Sequence, residues 1–150
     1  MNDVQVGQKS YQMPPVHGLA LAHNLTVADV ARSAQFYATV FGGRIIRRGM
    51  PSFVQIANSW IILSTGGGPT SDKPTVTLST PADRDHVSSY INFRVADVHA
   101  CYALWRSRGA QFITEPLEKD GETRCYIRDP DGYIIEVGQS TPDVVWEGEV

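Results

Sequence analysis

The sequence predicts an α+β fold in which two tandem βαβββ modules form a shared cleft. Three observations predict it. A chain of 150 residues that is 42% hydrophobic and 19% charged fits a single globular domain. The pattern of one strand, one helix and three strands occurs twice. The tetrapeptide VADV at residues 27–30 returns intact at residues 95–98. Each helix covers one face of its sheet, so two further faces are free to curve together.

Composition excludes several classes of partner. The chain has 13 Lys and Arg against 16 Asp and Glu, a net charge of −3, which leaves no basic face for nucleic acid. Its apolar stretches are far shorter than the ~20 residues that span a bilayer, and residues 1–15 lack the apolar core of a signal peptide. We therefore expect a cytoplasmic protein without membrane or nucleic-acid partners. Cys101 and Cys125 form no CxxC motif, which predicts two buried small hydrophobic residues rather than a zinc or redox pair.

Residues 1–18 are predicted to be an N-terminal arm that leads into a single domain at residues 19–140. The arm is polar, and its Pro-Pro pair opposes both a helix and a central strand. It is available for packing on a partner subunit. Residues 141–150 are predicted to be a C-terminal tail, in which Trp146 is suited to anchor on a partner surface.

The first module is predicted at about residues 19–65. It begins with a strand in which His23, Leu25 and Val27 alternate onto one face, the face that meets the helix. Asp29 can cap the first N–H groups of that helix, and a Gly-Gly pair ends it. Further strands are expected near residues 44–48, 52–57 and 60–65.

Residues 66–88 are predicted to be a linker between the modules, because this stretch is rich in glycine and proline. Its triple glycine lacks the GxxxxGK[ST] pattern, so it does not indicate a phosphate-binding loop. The second module is predicted at about residues 89–138, with a helix that buries Val98 and Trp105 and ends at Gly109. Its later strands are expected near residues 111–114, 124–128 and 133–137.

Two motifs carry a resemblance to a known family. The first is HNLTVAD at residues 23–29, followed by Ser33 and by FY at residues 36–37; the second is RDPDGYIIE at residues 128–136. On these motifs the chain resembles the vicinal oxygen chelate superfamily, the group of glyoxalase I, bleomycin-resistance proteins and extradiol dioxygenases.

The DPDG turn within the second motif also has a physical basis. Pro130 presets the turn, Asp131 can bond its own backbone ahead, and Gly132 accepts a positive φ. The turn delivers the last strand in register and so positions Glu136.

The resemblance implies a metal-assisted lyase, isomerase or dioxygenase that acts on a small oxygenated metabolite. Metal-dependent members hold a divalent Ni, Zn, Mn or Fe ion on ligands from the first and last strands of each module. The resemblance assigns Glu136 as catalytic residue and metal ligand, and His23 as a second metal ligand. A carboxylate in the apolar strand YIIEVG has to be paired or ligating. Simple alternation places His23 on the helix-packed face, so a β-bulge is needed to turn it into the cleft.

The two remaining ligand positions lack a donor. By the duplication, the predicted histidine and glutamate ligands map to Ile91 and Leu63 respectively, and neither can ligate. His86 is the nearest replacement, whereas His17 and His99 are expected to face solvent. A divalent metal is therefore an open question with an incomplete ligand set, since such cations want at least three protein donors.

The alternative is a metal-free binding protein of the bleomycin-resistance type, which grips a small apolar or aromatic molecule in a homodimer cleft. The strand RCYIR at residues 124–128 alternates, so its Arg and Tyr side chains point away from the helix. An arginine beside Glu136 suits an anionic ligand and a structural ion pair equally well. A module that kept the fold but lost the site is a third interpretation. The candidate ligand-binding residues are Asn24, Trp60, Tyr90, Asn92, Arg124 and Tyr126.

Overall fold

Eleven strands and two helices form the part of the chain that this computed structural model describes, residues 3–12 and 19–139. In chain order they are β1 (Asp3–Val6), β2 (Lys9–Gln12), β3 (Ala22–Thr26), α1 (Val30–Phe41), β4 (Arg44–Arg47), β5 (Ser52–Ile56), β6 (Ser59–Ser64), β7 (Ile91–Arg94), α2 (Val98–Ser107), β8 (Gln111–Phe112), β9 (Leu117–Lys119), β10 (Glu122–Arg128) and β11 (Ile134–Gln139). The predicted α+β class and the two modules are confirmed.

The structure adds elements that the sequence pattern did not predict. Strands β1 and β2 pair as an antiparallel hairpin within the residues assigned to the N-terminal arm. Strand β9 pairs with β10, so the second module has one strand more than the first. His17 and Trp146 lie outside the described residues. Neither helix of the described part is long and apolar enough to cross a membrane.

Each module builds one sheet with the same strand order. The first sheet runs β3-β6-β5-β4, and the second runs β7-β11-β10-β8 with β9 beside β10. In both, the first strand of the module lies parallel to its last strand, while the other neighbours are antiparallel. A parallel pair needs a crossover connection, and the helix of each module lies within that connection.

Both helices begin at the aspartate of the repeated VADV segment. The Asp29 carboxylate accepts a hydrogen bond from the Arg32 N–H at 2.9 Å, and the Asp97 carboxylate accepts one from the Ala100 N–H at 2.9 Å. Helix α1 ends at Gly42, whose φ of 72° lies in the left-handed region that favours glycine. The predicted start and end of this helix are confirmed.

The helix-covered faces of both sheets contribute to one hydrophobic core. Trp105 packs edge-on against Phe41 with ring centroids 4.9 Å apart, so the predicted core role of this tryptophan is confirmed. Cys125 is buried and Cys101 half-buried, and burial raises the pKa of the Cys125 thiol to about 11. Both cysteines therefore act as small hydrophobic residues. The fully buried large side chains are Tyr37, Leu63, Ile127, Ile135, Val27, Val40, Val54, Val98 and Val137.

The DPDG turn of the second module binds the helix of the first. One Asp131 carboxylate oxygen accepts from the Ala28 N–H at 3.0 Å, and the other accepts from the Ser33 hydroxyl at 3.3 Å. The Tyr37 hydroxyl donates to Asp129 at 2.8 Å. These contacts tie the two modules together through buried groups that need hydrogen-bond partners.

The predicted role of Asp131 within its own turn is wrong. Asp129 takes that role, because its Oδ1 accepts from the backbone N–H groups of Asp131 at 3.0 Å and Tyr133 at 2.8 Å. Asp131 instead faces α1, where a backbone N–H and a buried hydroxyl require an acceptor. The predicted positive φ of Gly132 is confirmed at 92°.

The linker between the modules is attached to the second sheet. Arg128 donates to the Arg84 carbonyl at 2.6 Å and to the Asp85 carboxylate at 2.7 Å. The Arg84 side chain lies so close over Gly132 that a Cβ there would stand 2.8 Å from its Cγ. The end of the linker is therefore held against β10 before β7 begins.

Candidate functional site

The candidate site lies on the face of the second sheet that is turned away from its helix. Glu136 on β11 stands between Tyr126 on β10 and Asn92 on β7. The next row on this face is Gly138 between Arg124 and Arg94. The intervening residues Cys125, Ile127, Ile135 and Val137 are buried in the core. The predicted alternation of the RCYIR strand is thus confirmed.

Glu136 is the centre of this face and is only 4% exposed. The Tyr126 hydroxyl donates to its Oε2 at 3.0 Å, and Arg94 Nη1 donates to its Oε1 at 3.4 Å. Each carboxylate oxygen therefore has a partner. A buried carboxylate without such partners would be strongly destabilising, so these two contacts explain why the apolar strand tolerates it.

Arg94 reaches Glu136 by crossing the sheet above Gly138. A Cβ built on Gly138 would stand 2.8 Å from the Arg94 Cζ, closer than real Cβ atoms approach a neighbour. Because Gly138 has no side chain, the guanidinium can lie close to the backbone of β11. Beyond it, Arg94 contacts the Glu122 carboxylate on β10, with Nη1 to Oε2 and Nη2 to Oε1 both at 3.3 Å. Arg94 thus joins two glutamates of neighbouring strands.

Two tyrosines stand at the rim of this face. Tyr90 is 50% exposed, and its ring meets the Tyr126 ring edge-on with centroids 6.1 Å apart. Burial first, and then the hydrogen bond to Glu136, raises the pKa of Tyr126 above its ordinary value. Tyr126 therefore stays protonated at neutral pH and can donate to Glu136. On the other side of this face, Arg124 forms an ion pair with Asp120, with its Nη2 3.0 Å from the carboxylate.

Two predicted ligand-binding residues belong to the first sheet. Asn24 and Trp60 lie on the face away from α1, and Asn24 Oδ1 accepts from the Ser64 hydroxyl at 3.3 Å. No hydrogen bond or ring contact within residues 3–12 and 19–139 joins either of them to the second sheet. The structure therefore places Tyr90, Asn92, Arg124, Tyr126 and Glu136 on one face of the second sheet, and Asn24 and Trp60 on the first sheet.

His23 lies on the other face of the first sheet. It pairs with Ile61 and is in phase with buried Leu25, and the β3–β6 register is continuous over Ala22–Thr26. The bulge that would turn this histidine away from the helix side does not occur in that ladder. His86 is 87% exposed at its side chain, with Nδ1 2.6 Å from Asp83 Oδ2, and His99 is exposed.

The pairing also corrects one equivalence between the modules. Asn24 pairs with Ile62 at the register position where Asn92 pairs with Glu136, so the first-module counterpart of Glu136 is Ile62 rather than Leu63. Leu63 belongs to the core. The reason is that the sequence alignment of the two strands is out of register by one residue, which moves a side chain to the opposite face.

The donors around Glu136 do not fit a divalent metal. Both Glu136 oxygens already have protein partners, its counterpart Ile62 cannot ligate, and His23 stands on the helix side. Within the described ranges no three His, Cys, Asp or Glu side chains group as a metal site. The assignments of Glu136 as catalytic residue and of His23 and Glu136 as metal ligands stay predictions.

Three residues of this face were not found from the sequence: Arg94, Glu122 and Gly138. Alternation alone could have indicated two of them, because Arg94 is in phase with Asn92 and Gly138 is in phase with Glu136. Their meeting depends on the register between β7 and β11, which the sequence does not reveal.

The fold and the site together define a paired βαβββ protein with a charged face on its second sheet. The chain belongs to the glyoxalase/bleomycin resistance protein/dioxygenase superfamily, because the family model matches residues 20–137. A lactoylglutathione lyase of Arabidopsis thaliana is 26% identical over 123 residues, covering 77% of this chain and 42% of that protein. The chain thus spans about two fifths of the length of the first curated relatives it matches.

Solved structures share the fold at low identity. A glyoxalase/bleomycin resistance protein/dioxygenase from Nocardioides matches with a TM-score of 0.70 and 17% identity, covering 89% of this chain and 90% of that one. The antibiotic binding protein TnmS3 from a Streptomyces species matches with a TM-score of 0.60 and 18% identity, covering 84% and 98%. At these identities the likeness shows the fold alone.

Proposed function

We propose that this protein binds a small aromatic molecule on the charged face of its second sheet and that it needs no metal to do so. The proposal is based on the hydrogen bonds that the two Glu136 carboxylate oxygens accept from Tyr126 and Arg94. A carboxylate held in this way is a fixed part of the wall rather than a free ligand for a cation. The half-exposed Tyr90 ring beside it offers an aromatic surface.

The contacts to the molecule would come from both modules. Tyr90 and Tyr126 supply ring faces, and Asn92 and Arg124 supply hydrogen-bond donors on the same face. We propose that Asn24 and Trp60 complete the site from the first sheet of a second copy, in a homodimer. The support for this assembly is that, within the described part of one chain, no hydrogen bond or ring contact joins either residue to the charged face.

A metal-assisted lyase, isomerase or dioxygenase is the second candidate function. It is favoured by the lactoylglutathione lyase relative and by a buried glutamate on the last strand. In that case Glu136 would serve as metal ligand and general base, with His23 as a second ligand. Arg94 would then have to leave Glu136, and β3 would have to rearrange around His23.

The first experiment measures metal content and binding together. Untagged protein is purified without chelator and analysed by mass spectrometry, and calorimetry follows the binding of 8-anilinonaphthalene-1-sulfonate, an aromatic anion, with and without EDTA. We expect less than stoichiometric metal, and dye binding that EDTA leaves unchanged and Tyr90→Ala weakens about fivefold or more.

Control variants separate the two candidates. Glu136→Ala and His23→Ala are analysed for metal in parallel with wild type. Stoichiometric metal in wild type that both variants lose would contradict the metal-free proposal and support the metalloenzyme. Absence of both metal and dye binding would contradict both candidates and favour a module that kept only the fold.

A further inference from the structure

We infer that the Arg94 guanidinium is the built-in cation of this site and occupies the position beside Glu136 that a metal ion would need. The inference rests on the proposed metal-free function and explains it at the level of one residue. It assigns Arg94 as a positioning residue, which holds the Glu136 and Glu122 carboxylates in place and compensates part of their negative charge.

The geometry of Arg94 is that of a cation held between carboxylates. Its Nη1 lies 3.4 Å from Glu136 Oε1 and 3.3 Å from Glu122 Oε2. One nitrogen thus contacts a carboxylate oxygen from each of two neighbouring strands. Nη2 adds a second contact to Glu122 at 3.3 Å. Paired charge-assisted contacts of this kind fix both the position and the orientation of a guanidinium.

The backbone is adapted to this placement. Arg94 and Gly138 are register partners on β7 and β11, and any side chain at Gly138 would collide with the guanidinium. In the first module the same two register positions hold Thr26 and Ser64, which carry no charge. The combination of an arginine, a glycine and two glutamates is therefore particular to the second sheet, where the buried carboxylate also lies.

The charges on this face predict how a variant without Arg94 should behave. Arg94 contacts both Glu136 and Glu122, whereas Arg124 reaches only Glu122, with its Nη1 3.9 Å from Oε2. Removal of Arg94 therefore leaves two carboxylates directed at the same vacated space, with only the longer Arg124 contact to compensate one of them. Like charges at short range strongly disfavour the ionised pair, and a hard cation with oxygen preference would relieve that repulsion. Loss of the guanidinium should thus convert a metal-free face into one that binds cations.

The test is a gain of cation binding. Wild type, Arg94→Ala and Arg94→Lys are titrated with Tb³⁺, whose emission is sensitised by a nearby tyrosine such as Tyr126, and with Mn²⁺ followed by electron paramagnetic resonance. We expect Arg94→Ala to bind one cation at least tenfold more tightly than wild type. Arg94→Lys retains a charge at this position and should resemble wild type. Adding Glu136→Gln to Arg94→Ala should abolish the gain.

The outcomes distinguish this inference from the proposed function. If wild type stays free of metal and folded Arg94→Ala shows no gain, the role of Arg94 is wrong while the metal-free proposal stands. If wild type itself binds one equivalent as tightly as the variant, both are wrong. If Arg94→Ala does not fold, Arg94→Gln provides the test, because it removes the charge but keeps an amide donor, and absence of a gain in that variant contradicts the inference.

Discussion

The two modules have the same strand pairing but differ in what stands on the face away from their helices. In the first, one row across the sheet reads Asn24, Ile62 and Phe53; in the second, the matching row reads Asn92, Glu136 and Tyr126. The difference lies in polarity, whereas the pairing geometry is kept. It teaches that the buried carboxylate and the tyrosine of the second face depend on side-chain identity and not on pairing geometry, since Ile62 and Phe53 hold the same register positions in the first.

The helices also differ in polarity, but here the polar side chains belong to the first module. Ser33 and Tyr37 of α1 bind the aspartates of the second module's turn, and they are among the most deeply buried residues. The matching positions of α2, relative to the repeated VADV, hold Cys101 and Trp105. In the first module the turn between β5 and β6 carries no acidic residue for α2 to bind. Carboxylate acceptors for a helix of the other module therefore lie in the DPDG turn and not in the turn between β5 and β6. Other polar contacts between the modules use backbone acceptors, such as Arg108 Nη1 to the Val40 carbonyl at 3.1 Å and the Tyr133 hydroxyl to the Thr26 carbonyl at 2.8 Å.

The largest effect is expected from breaking the contact between α1 and the DPDG turn. Asp131→Ala removes the acceptor of the Ala28 N–H and of the buried Ser33 hydroxyl, and it frees Arg32. Orphaned buried donors are costly, so we expect a loss of about 3 kcal/mol or more in the free energy of unfolding. Urea denaturation followed by circular dichroism measures it. Asn58→Ala in the exposed turn of the first module is the matched control, and equal losses in both variants would contradict the asymmetry.

A smaller effect is expected where the sheet faces differ. Gly138→Ala places a methyl group against the Arg94 guanidinium, which must shift away from Glu136. Overpacking of this kind costs about 2 kcal/mol. The register counterpart Ser64→Ala should cost less than about 1 kcal/mol, since its hydrogen bond to Asn24 is exposed. Thermal unfolding compares the two, and a neutral Gly138→Ala would show that Arg94 does not need the glycine.

Removing the N-terminal cap should cost the same in both helices, because the two caps have the same geometry. Asp29 and Asp97 each accept from a backbone N–H three residues on, both at 2.9 Å. We expect Asp29→Ala and Asp97→Ala to cost about 1 kcal/mol each in the free energy of unfolding. Parallel urea titrations of the two variants test this. A cost confined to one helix would mean that tertiary packing, and not the cap, holds the other.

The smallest effect concerns pH. Burial, more than any other cause, raises the pKa of Asp129 above its ordinary value of 3.8. The folded state therefore holds the proton more tightly than the unfolded state, and this contribution to stability is present at acid pH and lost as pH rises through the raised pKa. Asp129→Asn cannot ionise, so its stability relative to wild type should increase as the pH rises from acid to neutral. The free energy of unfolding of both proteins is measured across this pH range. An equal change with pH in the two proteins would contradict the prediction.

Much of the fold was predictable because its signals are local. The cap at Asp29, the glycine stop after α1 and the period-two alternation of residues 124–128 each depend on neighbours in sequence. The repeated VADV then placed the second module. The hairpin β1–β2 and the short strand β9 were missed, since strands of three or four residues give too short a pattern to be recognised.

The site was less accessible because it depends on register between strands that are distant in sequence. Glu136 could be selected from one strand, as a carboxylate among apolar residues. Its partner Arg94 lies on another strand, and only pairing between β7 and β11 shows that it crosses Gly138. The same limit explains the mistaken choice of Leu63 as the counterpart of Glu136, because a slip of one residue exchanges the two faces.

The contact between Asp131 and α1 also has a consequence for descent. After a duplication the two copies begin as equals, and each can be altered or lost while the other persists. Here one copy supplies the acceptor and the other supplies the serine hydroxyl and the backbone N–H that it satisfies. A change on either side then has to be matched across the boundary. The repeat has become a pair of complementary parts, so neither copy can return to an independent existence without first regaining what the other now provides.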